Sequence, residues 1–456
     1  MLTLAAAGAE QLWDELLPLE VKELPGDLAA LDELLGDPAL LAPIAARWEQ
    51  NARERGRPSL AIETYVRLMV VKHRCGWGYE TLMREVSDSL HLRRFCRIAL
   101  DVRVPDESTV RKLTRRLGPD VVAEITRALI AKATRENRFR ARAIRIDSTV
   151  IEADVKYPTD AGLASQGVRA LAREGRKLAA RIGAKRTAVR DRSRAMGRAL
   201  RGIARTIRRR TGEAKAEVLK LTEQTGRLLE HSVREARRLA AHARRRARGR
   251  GAHAKQRAAA RLEELADRCE TVAEQIRKRV AGEKITDRLV SLADPDARPI
   301  RKGKLGKPNE FGYVTQLAEV TQNTRRGARG FILPPATAPG NPTEDTLLPS
   351  TVAELQTLGL WPREVALDGG FNTGPTTESL AEIAPERVFI SGRQQPGSKR
   401  TQRRLQRYRT GAEGRISHLK RGYGLDRSRL KGHQGQQIWT RWGTLTYNLD
   451  TYTRLT

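Results

Sequence analysis

Three carboxylates stand where a chain ordinarily avoids them. Asp147 lies in Ala143-Ile144-Arg145-Ile146-Asp147-Ser148-Thr149-Val150-Ile151, whose alternation puts Ile144, Ile146 and Val150 on one side and Arg145, Asp147 and Thr149 on the other. An acid in a β-branched strand is costly to bury unless a cation meets it. Asp368 closes the apolar run Val365-Ala366-Leu367, and the following Gly369 and Gly370 let backbone or substrate come close. Its plainer reading is a turn residue after a short strand. Glu413 is, with Asp426, one of two acids in the Arg/Lys-rich segment Arg403–Lys431. Two acids at strands and one on a basic helix suggest a divalent-metal site acting on a polyanion. Mg²⁺ prefers oxygen ligands and keeps several waters, so two or three carboxylates can hold a pair of ions about 3.5–4 Å apart.

The helix around Glu413 carries more. At about 100° per residue, Arg409, Glu413 and Lys420 share one stripe, beside an apolar face of Ala412, Ile416, Leu419 and Tyr423. Arg409 and Lys420 either pair with Glu413 or hold the phosphates of a substrate whose metal the acid binds. Around these residues the pattern alternates between strand and helix. Phe311–Val320 and Gly330–Leu333 read as paired strands, Gly340–Asp345 as the cap of a helix to about Leu358, and Val365–Leu367 as a strand. A helix over Thr376–Ile383, a strand Val388–Ile390 and a basic helical region through Glu413 follow.

Between the first strand and the rest, Leu163–Ala281 is Ala/Arg/Leu/Glu/Lys-rich and proline-free, with breaks at Thr211-Gly212 and Gly249–Gly251. It reads as three long helices. Without that insertion, the element order is compatible with an RNase H-like α/β fold. Upstream, Tyr65, Leu68 and Met69 mark a helix, Tyr79–Ser87 and His91–Ile98 two more, and Glu107–Leu117 a basic fourth. Arg111, Lys112 and Arg115 point outward on this last helix. This module suits helix-turn-helix DNA reading and equally a plain bundle with a solvated arginine face. Val121–Arg138 is another helix. The expected boundaries are a helical extension at 1–57, a helical DNA-binding domain at 58–140, a catalytic domain at 141–162 and 284–456, and a basic helical insertion at 163–283.

Composition sets the partner. Lys and Arg number 86 against 54 Asp and Glu, a net charge of +32 that points to nucleic acid. In the insertion, Arg208, Arg210, Arg244 and Arg248 are expected to grip phosphates, because the charge there is too one-sided for internal pairing. The three cysteines are too few and scattered for a disulfide framework or a zinc site. Neither a signal peptide nor a membrane span is read, so the expected place is the cytoplasm.

Taken in order, the motifs resemble those of bacterial insertion-sequence transposases of the DDE class. The resemblance rests on Asp147-Ser148-Thr149-Val150 with Tyr157-Pro158-Thr159-Asp160, Pro105–Thr109, Pro295–Arg298, Phe311-Gly312-Tyr313 and Gly340-Asn341-Pro342. Asp368-Gly369-Gly370-Phe371, Glu413–Ile416, Lys420–Leu425 and Tyr447-Asn448-Leu449 complete it. Arg409, Glu413 and Lys420 keep the spacing of the Tyr-Arg-Glu-Lys signature, while Gln406 stands where its tyrosine would be. The insertion follows the first acid, where many relatives insert between the second and third.

The resemblance implies an RNase H-like catalytic domain with an all-α insertion after its first strand and an all-α N-terminal domain. It implies Asp147, Asp368 and Glu413 as the catalytic, metal-binding acids for two Mg²⁺ ions, with Mn²⁺ able to substitute. Arg409 and Lys420 would contact DNA. The substrates would be double-stranded transposon ends and target DNA, handled at the nucleoid by a homodimer or larger assembly. Water would cut at the element's end, and the freed 3′-OH would attack the target. The alternatives are a DNA-binding protein with decayed catalysis and a metal-dependent nuclease that does not join strands.

Overall fold

The computed structural model describes residues 3–5, 16–48, 59–184, 188–249, 251–304, 307–394 and 397–455; of the amphipathic piece read at Gln11–Leu19, residues 11–15 lie outside these. The chain forms two compact units, Met1–Asp154 with Ile300–Thr456, and Val155–Pro299. A mixed sheet of eight strands runs through it: β1 (Ala143–Ala153), β2 (Arg298–Lys304), β3 (Lys307–Thr321), β4 (Gly330–Ile332), β5 (Ala336–Pro339), β6 (Glu364–Leu367), β7 (Arg387–Ile390) and β8 (Arg427–Ser428). The main path is β2-β3-β1-β6-β7, with β4 and β5 on β3 and β8 on β1. β1 is antiparallel to β3 and parallel to β6, and β6 is parallel to β7.

Both faces of β1 are buried. Its charged residue Arg145 is 3 % exposed and meets Glu319 of β3, Nη2 to Oε2 at 2.6 Å. Arg415 reaches the other oxygen of Glu319 at 2.9 Å. Arg145 also donates to the carbonyls of Tyr408 and Ala328. The buried charges are thereby paired and hydrogen-bonded, which is what their burial requires.

The N-terminal helices are α1 (Leu19–Lys22), α2 (Gly26–Leu35), α3 (Pro38–Arg47), α4 (Ile62–Arg74), α5 (Tyr79–Asp88), α6 (Leu90–Phe95) and α7 (Glu107–Arg135). The two helices read at Glu107–Leu117 and Val121–Arg138 follow one another within α7, parted at Gly118, whose φ of 74° and ψ of −175° are not helical. The segment expected as a domain at 58–140 shares its core with the sheet. Tyr65, Leu68, Val110 and Leu129 lie in one apolar cluster with Ile144, Ile146, Val320 and Val365.

Val155–Pro299 holds α8 (Asp160–Ile182), α9 (Ser193–Thr206), α10 (Gly212–Arg245) and α11 (Ala252–Ala281). Three helices were expected over 163–283. The additional break is at Gly183, which ends α8 in the left-handed conformation at φ 62°. α10 turns Thr225, Leu229, Val233, Ala236 and Leu239 inward, all of them buried. Leu229, Val233, Ala236 and Leu239 pack with Leu163, Leu171, Leu262 and Ile276. Asp160, 4 % exposed, takes Arg279 and Arg288, which ties the start of the unit to its end.

In the first unit, α12 (Leu348–Thr357), α13 (Thr373–Ala381), α14 (Lys399–Gly422) and α15 (His433–Tyr452) complete the fold. α15 was not read from the sequence. It is buried nearly all round; the Gln436 amide donates to Thr315 and Thr440, while Gln436 Oε1 and Trp442 Nε1 have no hydrogen-bond partner among the described residues. The Asn448 amide pairs with both backbone groups of Ile332, closing the outer edge of β4.

Lys72 on α4 has an unusual setting. Its Nζ has no hydrogen-bond partner among the described residues and rests 3.8 Å from the ring centroid of Trp439 and 4.9 Å from that of Tyr79. Burial, then the nearby Arg429, push its pKa down to about 7. Between about 7 and the ordinary 10.5 the unfolded chain holds a proton that the folded chain has shed. Stability therefore rises with pH across that window. Lys72→Met should be more stable than the wild type at pH 7, and the gap should close towards pH 10; urea midpoints at several pH values check this. A gap that does not change with pH would contradict it.

Candidate active site

The site forms where β6 runs out beside β1. Ile146 of β1 registers with Leu367 of β6, so the next residues, Asp147 and Asp368, come side by side. Asp147 is 7 % exposed, and its Oδ1 accepts the Ser148 backbone N–H at 2.7 Å. A third acid joins them from a 3-10 turn at Glu344–Leu347. Asp147, Asp368 and Glu344 each bring a carboxylate oxygen to within 4.8 Å of the others'. The turn is anchored by Gln316 of β3, which donates to the Glu344 carbonyl at 2.8 Å and accepts from Thr351 Oγ1 at 2.7 Å. Gly370 leaves room for the acid: a Cβ there would lie 2.7 Å from Glu344 Oε2. The space that Gly370 opens next to Asp368 is thus taken by a carboxylate.

Glu413 is placed differently. It lies on α14 with its side chain 61 % exposed, and it is not in the three-acid group. Arg409, nearly buried, stands between: Nη1 donates to Asp368 Oδ1 at 2.7 Å and Nη2 to Glu413 Oε1 at 2.6 Å. The stripe read from the sequence does bring Arg409 and Glu413 together, in the ion-paired arrangement. Lys420 lies further along the helix, its Nζ donating to the Val150 carbonyl at 2.9 Å. The face beside them packs as its spacing suggests, with Ala412, Leu419 and Tyr423 buried.

Glu344 is the residue that sequence reasoning missed. Directly after Gly340-Asn341-Pro342-Thr343, it looks like the first turn of a capped helix. Only the position of that turn over β1 distinguishes it from any N-terminal acid. Glu378 and Asp426 are exposed.

The remaining basic residues fall into two groups. On α7, Val110, Leu113 and Thr114 pack inward, and Arg111, Lys112 and Arg115 are exposed on the opposite side. Arg111 pairs with Glu107 at 2.5 Å. In the helical unit Arg208, Arg210 and Arg248 are exposed and have no ion pair among the described residues. Arg244 does not fit the expectation of unpaired arginines: it pairs with Glu263, and Arg192, Arg237 and Arg268 likewise find acids. Neighbouring helices supply most of these acids, which a single-helix reading of charge cannot count.

Three oxygen donors from separate elements, converging beside a guanidinium in a strongly basic chain, fit a hard divalent cation. No helix among the described residues is long and apolar enough to cross a membrane. Residues 18–116 match a family model described as Transposase domain (DUF772). The match covers α1 to α6 and the start of α7. No curated protein and no solved structure matches the chain.

Proposed function

We propose that this chain, whose residues 18–116 match a transposase domain, is an insertion-sequence transposase of the DDE class and acts on DNA at Asp147 and Asp368. It binds the terminal inverted repeats of its element, cuts at the ends by metal-dependent hydrolysis and joins the 3′-OH ends to target DNA. The observation that carries this is the convergence of Asp147, Asp368 and Glu344 where β6 ends beside β1. The order β2-β3-β1-β6-β7 supports an RNase H-like catalytic domain, interrupted after its first strand by the helical unit.

Asp147, Asp368 and Glu344 would hold Mg²⁺, or Mn²⁺ in its place, with Glu413 as a further ligand. Such ions neutralise charge on the phosphate and activate the attacking oxygen. Arg409 is bound to both Asp368 and Glu413, so an arriving DNA phosphate competes with the two acids for one guanidinium. Phosphate binding at Arg409 would free both carboxylates at the moment the substrate is seated. In the cut, water adds to phosphorus and the leaving oxygen takes the proton to become a 3′-OH. In joining, that 3′-OH is the nucleophile and a target 3′ oxygen leaves. Arg111, Lys112 and Arg115 contact the repeat, and Arg208, Arg210 and Arg248 contact phosphates without reading bases. The active assembly is a homodimer or larger.

Incubation with a labelled duplex carrying an element end tests this. Mg²⁺ or Mn²⁺ should give a nick at the end, and a chelator should remove it. Glu344→Gln and Glu413→Gln should each slow the nick by roughly a hundredfold or more, since each removes one metal-side charge. A Glu344→Gln enzyme as fast as wild type would return the third-acid role to Glu413 alone. No nick under any divalent ion would favour the reading as a DNA-binding protein with decayed catalysis.

A further inference from the structure

A cleft of about 1250 Å³ opens between the β3–β4 turn and the N-terminal half of α14. Arg325 and Arg326 come from the turn, and Arg400, Arg403, Arg404 and Arg407 from the helix. Arg404 is neutralised from below: it bonds Glu364 Oε2 at 2.7 Å, and the same acid takes Arg387 at 3.1 Å. The other five are exposed and have no ion pair among the described residues. Thr324, Thr401 and Thr410 add hydroxyls to the lining. Five uncompensated guanidinium groups around one groove repel each other unless an anion enters, and their planar forks suit phosphate oxygens.

Topology ties the groove to the acids. The β3–β4 turn follows Thr321, which pairs with Ala143 at the start of β1. Glu364 at the start of β6 also aligns with Ala143. The groove therefore lies at the beginning of these strands, and Asp147 and Asp368 lie further along them. α14 connects the two places. From Arg403 to Glu413 it advances ten residues, about 15 Å at 1.5 Å per residue. A DNA strand spaces its phosphates about 3.4 Å apart along the axis, so that distance is roughly four to five nucleotides.

We infer that this cleft seats the backbone of the DNA being cut, about four to five nucleotides to one side of the scissile phosphate, so that α14 measures the spacing from grip to cut. The inference rests on the proposal that the acids cut DNA, and it adds a positional requirement which that proposal lacks. The full chain carrying Arg326→Gln, Arg403→Gln and Arg407→Gln, and a second variant with lysine at the same three positions, are titrated with duplex DNA without divalent ions over a salt series.

The glutamine variant should bind with a log–log salt slope shallower by about 2.7, at about 0.9 per lost phosphate contact, and the lysine variant should keep the wild-type slope. Substrates trimmed in turn to three and to eight base pairs on each side of the cut then locate the grip. Trimming one side to three should weaken binding by wild type and leave the glutamine variant unaffected. An unchanged slope in a glutamine variant that still cuts overturns the inference and leaves the proposed function standing. So does equal tolerance of trimming on both sides. A shallower slope in a chain that never cuts, whatever the metal, preserves the cleft as a DNA grip and overturns the catalytic reading.

Discussion

Asp147→Asn and Asp368→Asn should each leave duplex DNA bound and stop it being cut. The substitutions keep the volume and remove one negative charge from the group that would hold the metal. A loss of about 4 kcal/mol in transition-state stabilisation is a factor of roughly a thousand in rate, and metal-held charge stabilisation is of that order. Affinity should hardly change, because it comes from the basic surface. Asp368→Asn also weakens the bond from Arg409, so its unfolding midpoint must be measured alongside. Asp147→Asn has no such second effect on Arg409 and is the cleaner variant. Nicking at the wild-type rate by Asp147→Asn would place the chemistry elsewhere.

The second large effect is on stability. Glu319→Gln should destabilise the first unit by about 3–5 kcal/mol, since removing one partner of a buried ion network leaves the others uncompensated. Glu319 is 4 % exposed in its side chain and holds Arg145 and Arg415, which join β1 and α14 to β3. None of the six tryptophans lies in Val155–Pro299, so tryptophan fluorescence in urea does not follow that unit. The urea midpoint should fall sharply. A midpoint unchanged from wild type would show that the network contributes little.

What could be read in advance follows from how local each signal is. β1 and β6 announce themselves as apolar, β-branched runs, and each carries or ends on an acid that a plain strand has no use for. Arg409 and Glu413 are four apart on a helix, so their contact follows from helical geometry. Glu344 has no such local mark, because its role comes from Gln316, 28 residues away, holding its turn over the sheet. α15 escaped because Thr440, Thr444, Thr446 and Asn448 break any apolar stripe, although all are buried. A helix packed on every side shows no period to detect. The partner of Arg145 could not be read, because alternation does not show what a charged side chain will meet, and Glu319 comes from a strand beyond the insertion.

If the proposed site is the catalytic one, these acids let the chain join DNA as well as cut it. The most direct measurement mixes the full chain, Mg²⁺, a labelled fragment ending in the element's own terminal repeat, and a supercoiled plasmid. Label should become covalently joined to plasmid through the fragment's 3′ end, with no such product from Asp147→Asn. Cut fragments that never join would identify a nuclease, and joining by Asp147→Asn at the wild-type level would contradict the site itself.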